Sequence, residues 1–239
     1  MNSGRRIAFT GVLFLLAVGS LSIMKGSSGG GFSSEQVLYG RSSFLTLALE
    51  HILLVGSSSF AAAVTGVALG VFVTRRAGRS FLPVVNMLAS VGQTFPPVAV
   101  LALAVPLVGF GREPTVIALF CYGIFPIVRN TITGIESVDK DIRDAARGVG
   151  MYDREVLFRV ELPLAASIII AGIRTSVIIN IGTATIGATI GAGGFGAPII
   201  SGLINNNFYF VLQGGICVAL LAIFSDQIFE FAVMKFKRV

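Results

Sequence analysis

Six long apolar stretches, at residues 7–24, 44–74, 81–109, 114–135, 164–190 and 208–233, leave this chain few folds to choose from. About 20 apolar residues cross a bilayer as a helix, because each backbone polar group must find its partner within the segment. The predicted fold class is therefore an all-α membrane protein with six transmembrane helices. Composition agrees, with 54% hydrophobic residues, 13% charged ones and no Trp, and a mean hydropathy of +0.86. Such values exclude an ordinary soluble domain.

The first stretch follows Arg5 and Arg6 and has small residues, Ser20 and Ser22, near its end. A signal peptide has an apolar core of about 7–15 residues, so this longer stretch reads as an uncleaved anchor. A Gly/Ser-rich run at 25–34 then reads as a flexible exposed connection. The expected divisions are 1–43 for the first helix and this connection, 44–233 for the membrane body, and 234–239 for a basic tail. Pro96 and Pro97 break the third stretch, since proline lacks a backbone donor and disfavours a straight helix. Membranes tolerate such a break where neighbouring helices or a cavity satisfy the freed backbone.

Orientation follows from the placement of Lys and Arg. With the N-terminus inside, fourteen of the eighteen basic residues are cytoplasmic and three, Lys25, Arg41 and Arg112, are outside. Both termini and the loop at 136–163 are then expected in the cytoplasm. The remaining cation, Arg174, is placed in the cytoplasmic half of the fifth span. The net charge of +6 reflects this topology rather than nucleic-acid binding, which needs basic clusters facing phosphates. Cys121 and Cys217 lie in apolar runs as small hydrophobes, with no disulfide, metal or catalytic role expected.

The most polar internal stretch, DAARGVGMYDREVLFRVELP at 144–163, reads as two short helices around a glycine turn. Ser137 or Asp139 can cap the first helix and Asp153 the second. Gly148 and Gly150 suit the turn. Tyr152, Val156, Leu157 and Val160 recur at the spacing of one apolar face, and Pro163 can open the next span. The spacing acidic-Ala-Ala-x-x-x-Gly, nine residues, then aliphatic-x-Leu-Pro is met by Asp144, Ala145, Ala146, Gly150, Val160, Leu162 and Pro163.

This pattern resembles the EAA loop of permease subunits from bacterial ATP-binding-cassette (ABC) importers, with Asp144 where the family usually has Glu. Further stretches, Gln93 to Pro97, Pro126 to Thr131, Ala171 to Thr175 and Ile190 to Gly196, are similar to permeases of the osmoprotectant branch. The resemblance implies the type I importer permease fold, similar to methionine permeases, in the inner membrane of a bacterium. It implies import of glycine betaine, choline, carnitine or a related quaternary amine. Asp144, Ala145, Ala146, Gly150, Leu162 and Pro163 would couple the chain to ATP-hydrolysing subunits. The other implied partners are a second permease, identical or paralogous, and a periplasmic or lipid-anchored substrate-binding protein, with membrane lipid around the spans. A bulky residue at Gly150 or Ala146 is expected to abolish transport while leaving insertion intact.

No G-x-x-x-x-G-K-[ST] phosphate loop occurs in the chain. The chain is therefore expected not to be an enzyme and to carry no cofactor, with ATP and Mg on the partner subunit. Residues 191–196, GAGGFG, match a dinucleotide fingerprint only formally. That fingerprint needs a βαβ unit, so a tight extracytoplasmic turn is the reading here, as a gate or a surface for the delivery protein.

Polar groups within spans tend to face a bundle interior or a watery path. Gln93, Thr94, Pro96 and Pro97 at the break, with Asn180 and Thr183 on the fifth span, are the candidate translocation path. Close helix packing is the competing explanation. Arg129, Asn130 and Arg174 are read as securing helix ends. Glu50 and His51 are read as interfacial rather than as a proton relay, and Asp226 and Glu230 as partners of cytoplasmic cations. Tyr122 and Tyr209 suggest no dedicated aromatic cage for a cation. Methionine or another amino acid remains an alternative cargo. An ion-coupled secondary transporter, which would show an inverted repeat, and a structural anchor are the alternatives of other classes.

Overall fold

The computed structural model describes residues 3–24 and 38–236; the expected connection at 25–34 and the last tail residues, 237–239, lie outside them. Among the described residues the fold is helical, without strands. Helices α1 (Ser3–Met24) and α2 (Phe44–Thr74) are followed by α3 (Leu82–Gly92), α4 (Pro97–Val108) and α5 (Arg112–Glu136). Two short helices, α6 (Lys140–Gly148) and α7 (Asp153–Val156), lead into α8 (Leu162–Gly187), and α9 (Gly196–Ile204) precedes α10 (Phe208–Phe236).

Five helices are long and apolar enough to cross a membrane, and α3 with α4 make a sixth element bent by 100° at the prolines. Pro96 takes an extended conformation and Pro97 opens α4, where a missing N–H costs nothing. Helix α2 has 31 residues; at about 1.5 Å per residue it exceeds the roughly 30 Å hydrocarbon core. Ser43 caps it, its hydroxyl accepting from Thr46 N at 3.2 Å.

The helices α2, α5 and α8 form the centre because small residues let their backbones approach. A Cβ on Gly70 of α2 would lie 2.6 Å from Thr131 Cβ of α5, and one on Gly172 of α8 would lie 2.6 Å from Asn130 Cβ of α5. Around this centre, α10 packs on α8 and α9, and α1 packs on α10 and α2. Thr10 of α1 donates to Gln227 Oε1 of α10 at 2.6 Å. At the end of the bundle nearest the 191–196 turn, Phe14, Phe44, Leu47, Leu119, Ile181 and Phe195 share one core.

The turn holds three glycines at positive φ, Gly191, Gly193 and Gly194, a region that side chains other than glycine rarely occupy. Sequence reading took this region as a turn leading directly to the last span and missed α9. At nine residues α9 is too short to cross a bilayer, and its apolar run carries no periodicity that separates it from a loop.

Gly70→Leu is expected to destabilise the detergent-solubilised protein by about 1–3 kcal/mol through overpacking. Gly56, which has nothing within 4 Å of its missing Cβ, should accept Leu without cost. Thermal unfolding of both variants checks this, and equal midpoints would contradict the packing account.

Candidate coupling loop and membrane path

The loop is built by explicit caps. Helix α5 ends at Ser137, whose hydroxyl donates to Gly134 O at 2.8 Å. Of the two expected caps, Asp139 starts α6 by accepting from Asp141 N at 2.8 Å. The helix closes through Met151 N donating to Ala146 O at 3.2 Å and Gly150 N donating to Arg147 O at 2.9 Å. Gly150 sits at φ 91°, as such a closure requires. Asp153 is the first residue of α7 rather than its cap; Tyr152 precedes it, and Glu155 accepts from Tyr152 N at 3.1 Å.

From Asp153 the chain runs as one helix to Ile190. Pro163 does not open a separate span but lies inside this helix, and residues Leu157–Glu161 adopt a π turn just before it. Leu162 N reaches back five residues to Leu157 O. A proline lacks the N–H for the usual bond and its ring crowds the carbonyl four residues earlier. A widened turn relieves that conflict, and such turns recur at functional sites.

The loop has two faces. Ala146 is buried, as are Val156 and Leu157. Asp144, Ala145 and Gly150 are exposed, Leu162 is half-buried and Pro163 is exposed. Ile142, Ala145 and Val149 follow helical spacing on the outward side of α6, with Ile142 46% and Val149 78% exposed, and Tyr152 beside them is 80% exposed. Sequence reading had grouped Tyr152 with the buried Val156 and Leu157; it points outward instead. Polar residues flank this stripe, with Arg147 Nη1 3.2 Å from Asp144 Oδ1 and its Nε 3.3 Å from Asp153 Oδ1.

Behind α6 lies a cavity of about 620 Å³, whose wall includes Arg75, Arg76, Arg79, Arg143 and Glu161. Glu161 is 2% exposed. Its Oε2 lies 2.6 Å from Arg75 Nη1 and its Oε1 3.8 Å from Arg143 Nη1. Nothing in the spacing of the loop singles out Glu161; its burial comes from tertiary contact with the end of α2.

The path candidates separate in space. Gln93 and Thr94 are exposed at the bend between α3 and α4. The bend is held to α5 by Tyr122, whose hydroxyl donates to Gln93 O at 3.3 Å. Pro96 is exposed and Pro97 half-buried. On α8, Thr183 is half-buried, while Asn180 is fully buried and donates to Ser59 Oγ at 3.0 Å. Asn180 therefore faces the packed junction with α2, where Asn180 Oδ1 and Ser176 Oγ have no hydrogen-bond partner.

The partners of three further polar residues are now defined. His51 does not face the membrane surface with an open side chain: it is fully buried in the protein, with Nε2 3.0 Å from Ile181 O and its ring against Phe195. Asp226 meets Arg174 of α8, a cation neighbouring it in space rather than one of the loop or tail, by two bonds of 2.6 and 2.7 Å with both side chains about a third exposed. Glu50 clips the glycine turn: Oε2 accepts from Gly194 N at 3.0 Å, and Oε1 accepts from Arg112 Nη2 at 2.6 Å.

Comparison with known proteins places this geometry. A family profile described as "Binding-protein-dependent transport system inner membrane component" matches residues 66–238. The osmoprotectant import permease protein OsmY of Salmonella typhimurium is 39% identical over 184 residues, 77% of this chain and 78% of that protein. The choline transport system permease protein OpuBB of Bacillus subtilis is 40% identical over 188 residues, 78% of this chain and 85% of that protein. Among solved structures, an inward-facing MetNI methionine ABC transporter superposes with a TM-score of 0.73 at 19% identity, covering 80% of this chain and 95% of the matched one. That likeness is one of fold.

Glu50→Gln weakens the acceptor of the Gly194 amide and removes the charge facing Arg112. Hydrogen exchange across 191–196 is expected to speed up at least about tenfold, the factor that corresponds to roughly 1.4 kcal/mol. Unchanged protection would show that the clip does not hold the turn.

Proposed function

Because the chain belongs to the family of inner-membrane components of binding-protein-dependent transport systems, we propose how its loop and spans serve ATP-driven import. It is a multi-pass permease subunit of the bacterial cytoplasmic membrane and not itself catalytic. The cargo is an osmoprotectant of the glycine betaine, choline and carnitine class, as the named functions of its relatives support. The fold shared with a methionine transporter at 19% identity does not argue for methionine.

In this reading the exposed stripe of α6, Ile142, Ala145, Val149 and the neighbouring Tyr152, seats in a groove of a separate ATP-hydrolysing subunit that carries ATP and Mg. That stripe is the observation that carries the proposal, since these apolar residues on a polar loop are left exposed by the described residues. Asp144 and Arg147 flank it and set its orientation. Ala145 permits close approach, Ala146 seats α6 on its own protein, and Gly150 turns the chain. Leu162 and Pro163 mark where the loop joins α8. The arginines at this end of the bundle, Arg75, Arg76, Arg79, Arg143 and Arg147, support a cytoplasmic loop with both termini on the same side.

Transport is alternating access. Closure of the ATP-hydrolysing pair displaces α6, and the unbroken helix from Asp153 carries that displacement into α8. A second permease completes the path, which Gln93, Thr94, Pro96, Pro97 and Thr183 line. Asn180 acts behind them, through its bond to Ser59. A substrate-binding protein delivers solute at the end bearing the 191–196 turn.

Ala145→Trp tests this reading without disturbing a buried contact. The variant permease should insert normally but fail to retain the ATP-hydrolysing subunit on purification. In the unmodified complex, glycine betaine with the cognate binding protein should stimulate ATP hydrolysis and methionine should not. Stimulation by methionine alone would overturn the cargo, and normal retention by Ala145→Trp would overturn the docking face.

A further inference from the structure

Glu161 ties three moving parts to one carboxylate, and we infer that it is a positioning residue for energy coupling, locking α6 to α2 as well as to α8. The inference rests on the transport reading above but assigns residues beyond the loop motif. Glu161 closes the π turn immediately before Leu162 and Pro163, so it is covalently part of α8. Arg75, at the end of α2, reaches it from one side at 2.6 Å, and Arg143, on α6, from the other at 3.8 Å. Arg75 is itself oriented by Thr74 Oγ1, which accepts from Nε at 3.3 Å and from Nη2 at 3.2 Å.

Burial makes this arrangement selective. A carboxylate at 2% exposure is costly to leave unpaired, so movement of its helix favours movement of the two cations that face it as ion pairs. Displacement of α6 therefore pulls on α2 through Arg143, Glu161 and Arg75, in addition to driving α8 through the backbone. Helix α2 matters because its other end carries Glu50, which accepts from the Gly194 amide of the glycine turn. One ion-paired carboxylate thus links the docking helix to a span that holds the opposite end of the bundle.

Arg143→Gln isolates this role, because it cuts the tie to α6 and leaves the buried Arg75–Glu161 pair intact. The readout is the ratio of ATP hydrolysis with solute-loaded binding protein to hydrolysis without it, in reconstituted complexes. The ratio should fall at least fivefold in Arg143→Gln and recover in Arg143→Lys, which restores a cation to Glu161. A wild-type ratio in Arg143→Gln overturns the inference. So does loss of the ATP-hydrolysing subunit from that variant, because Arg143 would then be a docking contact. An unmodified complex that shows no stimulation by any quaternary amine would instead overturn the transport reading itself, so the two failures are distinct.

Discussion

Backbone continuity from Asp153 to Ile190 is the constraint on which the rest of the molecule depends. A polar loop would ordinarily relax independently of the span that follows it, but here its second part, from Asp153, belongs to the same helix as the span. The proline that would interrupt that helix is absorbed by the π turn at Leu157–Glu161, where the extra residue per turn removes the clash. In the proposed coupling, a push on α6 passes through the turn at Gly150 to this helix and reaches α8 as movement of a stiff element. The same turn places Glu161 where two other helices can grip it.

A stiff lever is useful only if the spans it moves are packed against a definite surface. Helices α2, α5 and α8 provide one, through the close approaches at Gly70 and Gly172. Apolar burial alone does not distinguish one helix arrangement from another in lipid, so close packing and interhelical hydrogen bonds set the geometry. The bond from Asn180 to Ser59 and the bidentate pair of Arg174 with Asp226 each join two helices, and the clip of Glu50 on Gly194 joins α2 to the glycine turn. They fix register at three depths of the bundle.

Much of this was legible in the sequence. The second span was read at 44–74, where α2 runs from Phe44 to Thr74, and the bend followed from Pro96 and Pro97. The loop helices followed from Asp139, Gly150 and the apolar spacing of Val156 and Leu157. What escaped reading depended on partners distant in sequence. Glu161 looks like a solvated loop charge until Arg75, eighty-six positions earlier, is brought beside it. The partners of His51 and Asp226, Ile181 and Arg174, were not legible because periodicity identifies a helix face but not what lies against it. Asn180 and Thr183 share a helical face, yet one is sealed in a helix junction and the other half-buried.

Docking of the outward face of α6 on a separate ATP-hydrolysing subunit is the central claim, and site-specific photocross-linking tests it most directly. A photoactivatable residue at Ala145, introduced into the complex in membranes, should form its main adduct with the ATP-hydrolysing subunit. The same residue at Gly56, far from the loop on α2, should not. Adducts from position 145 only to lipid, or to the permease itself, would contradict the account.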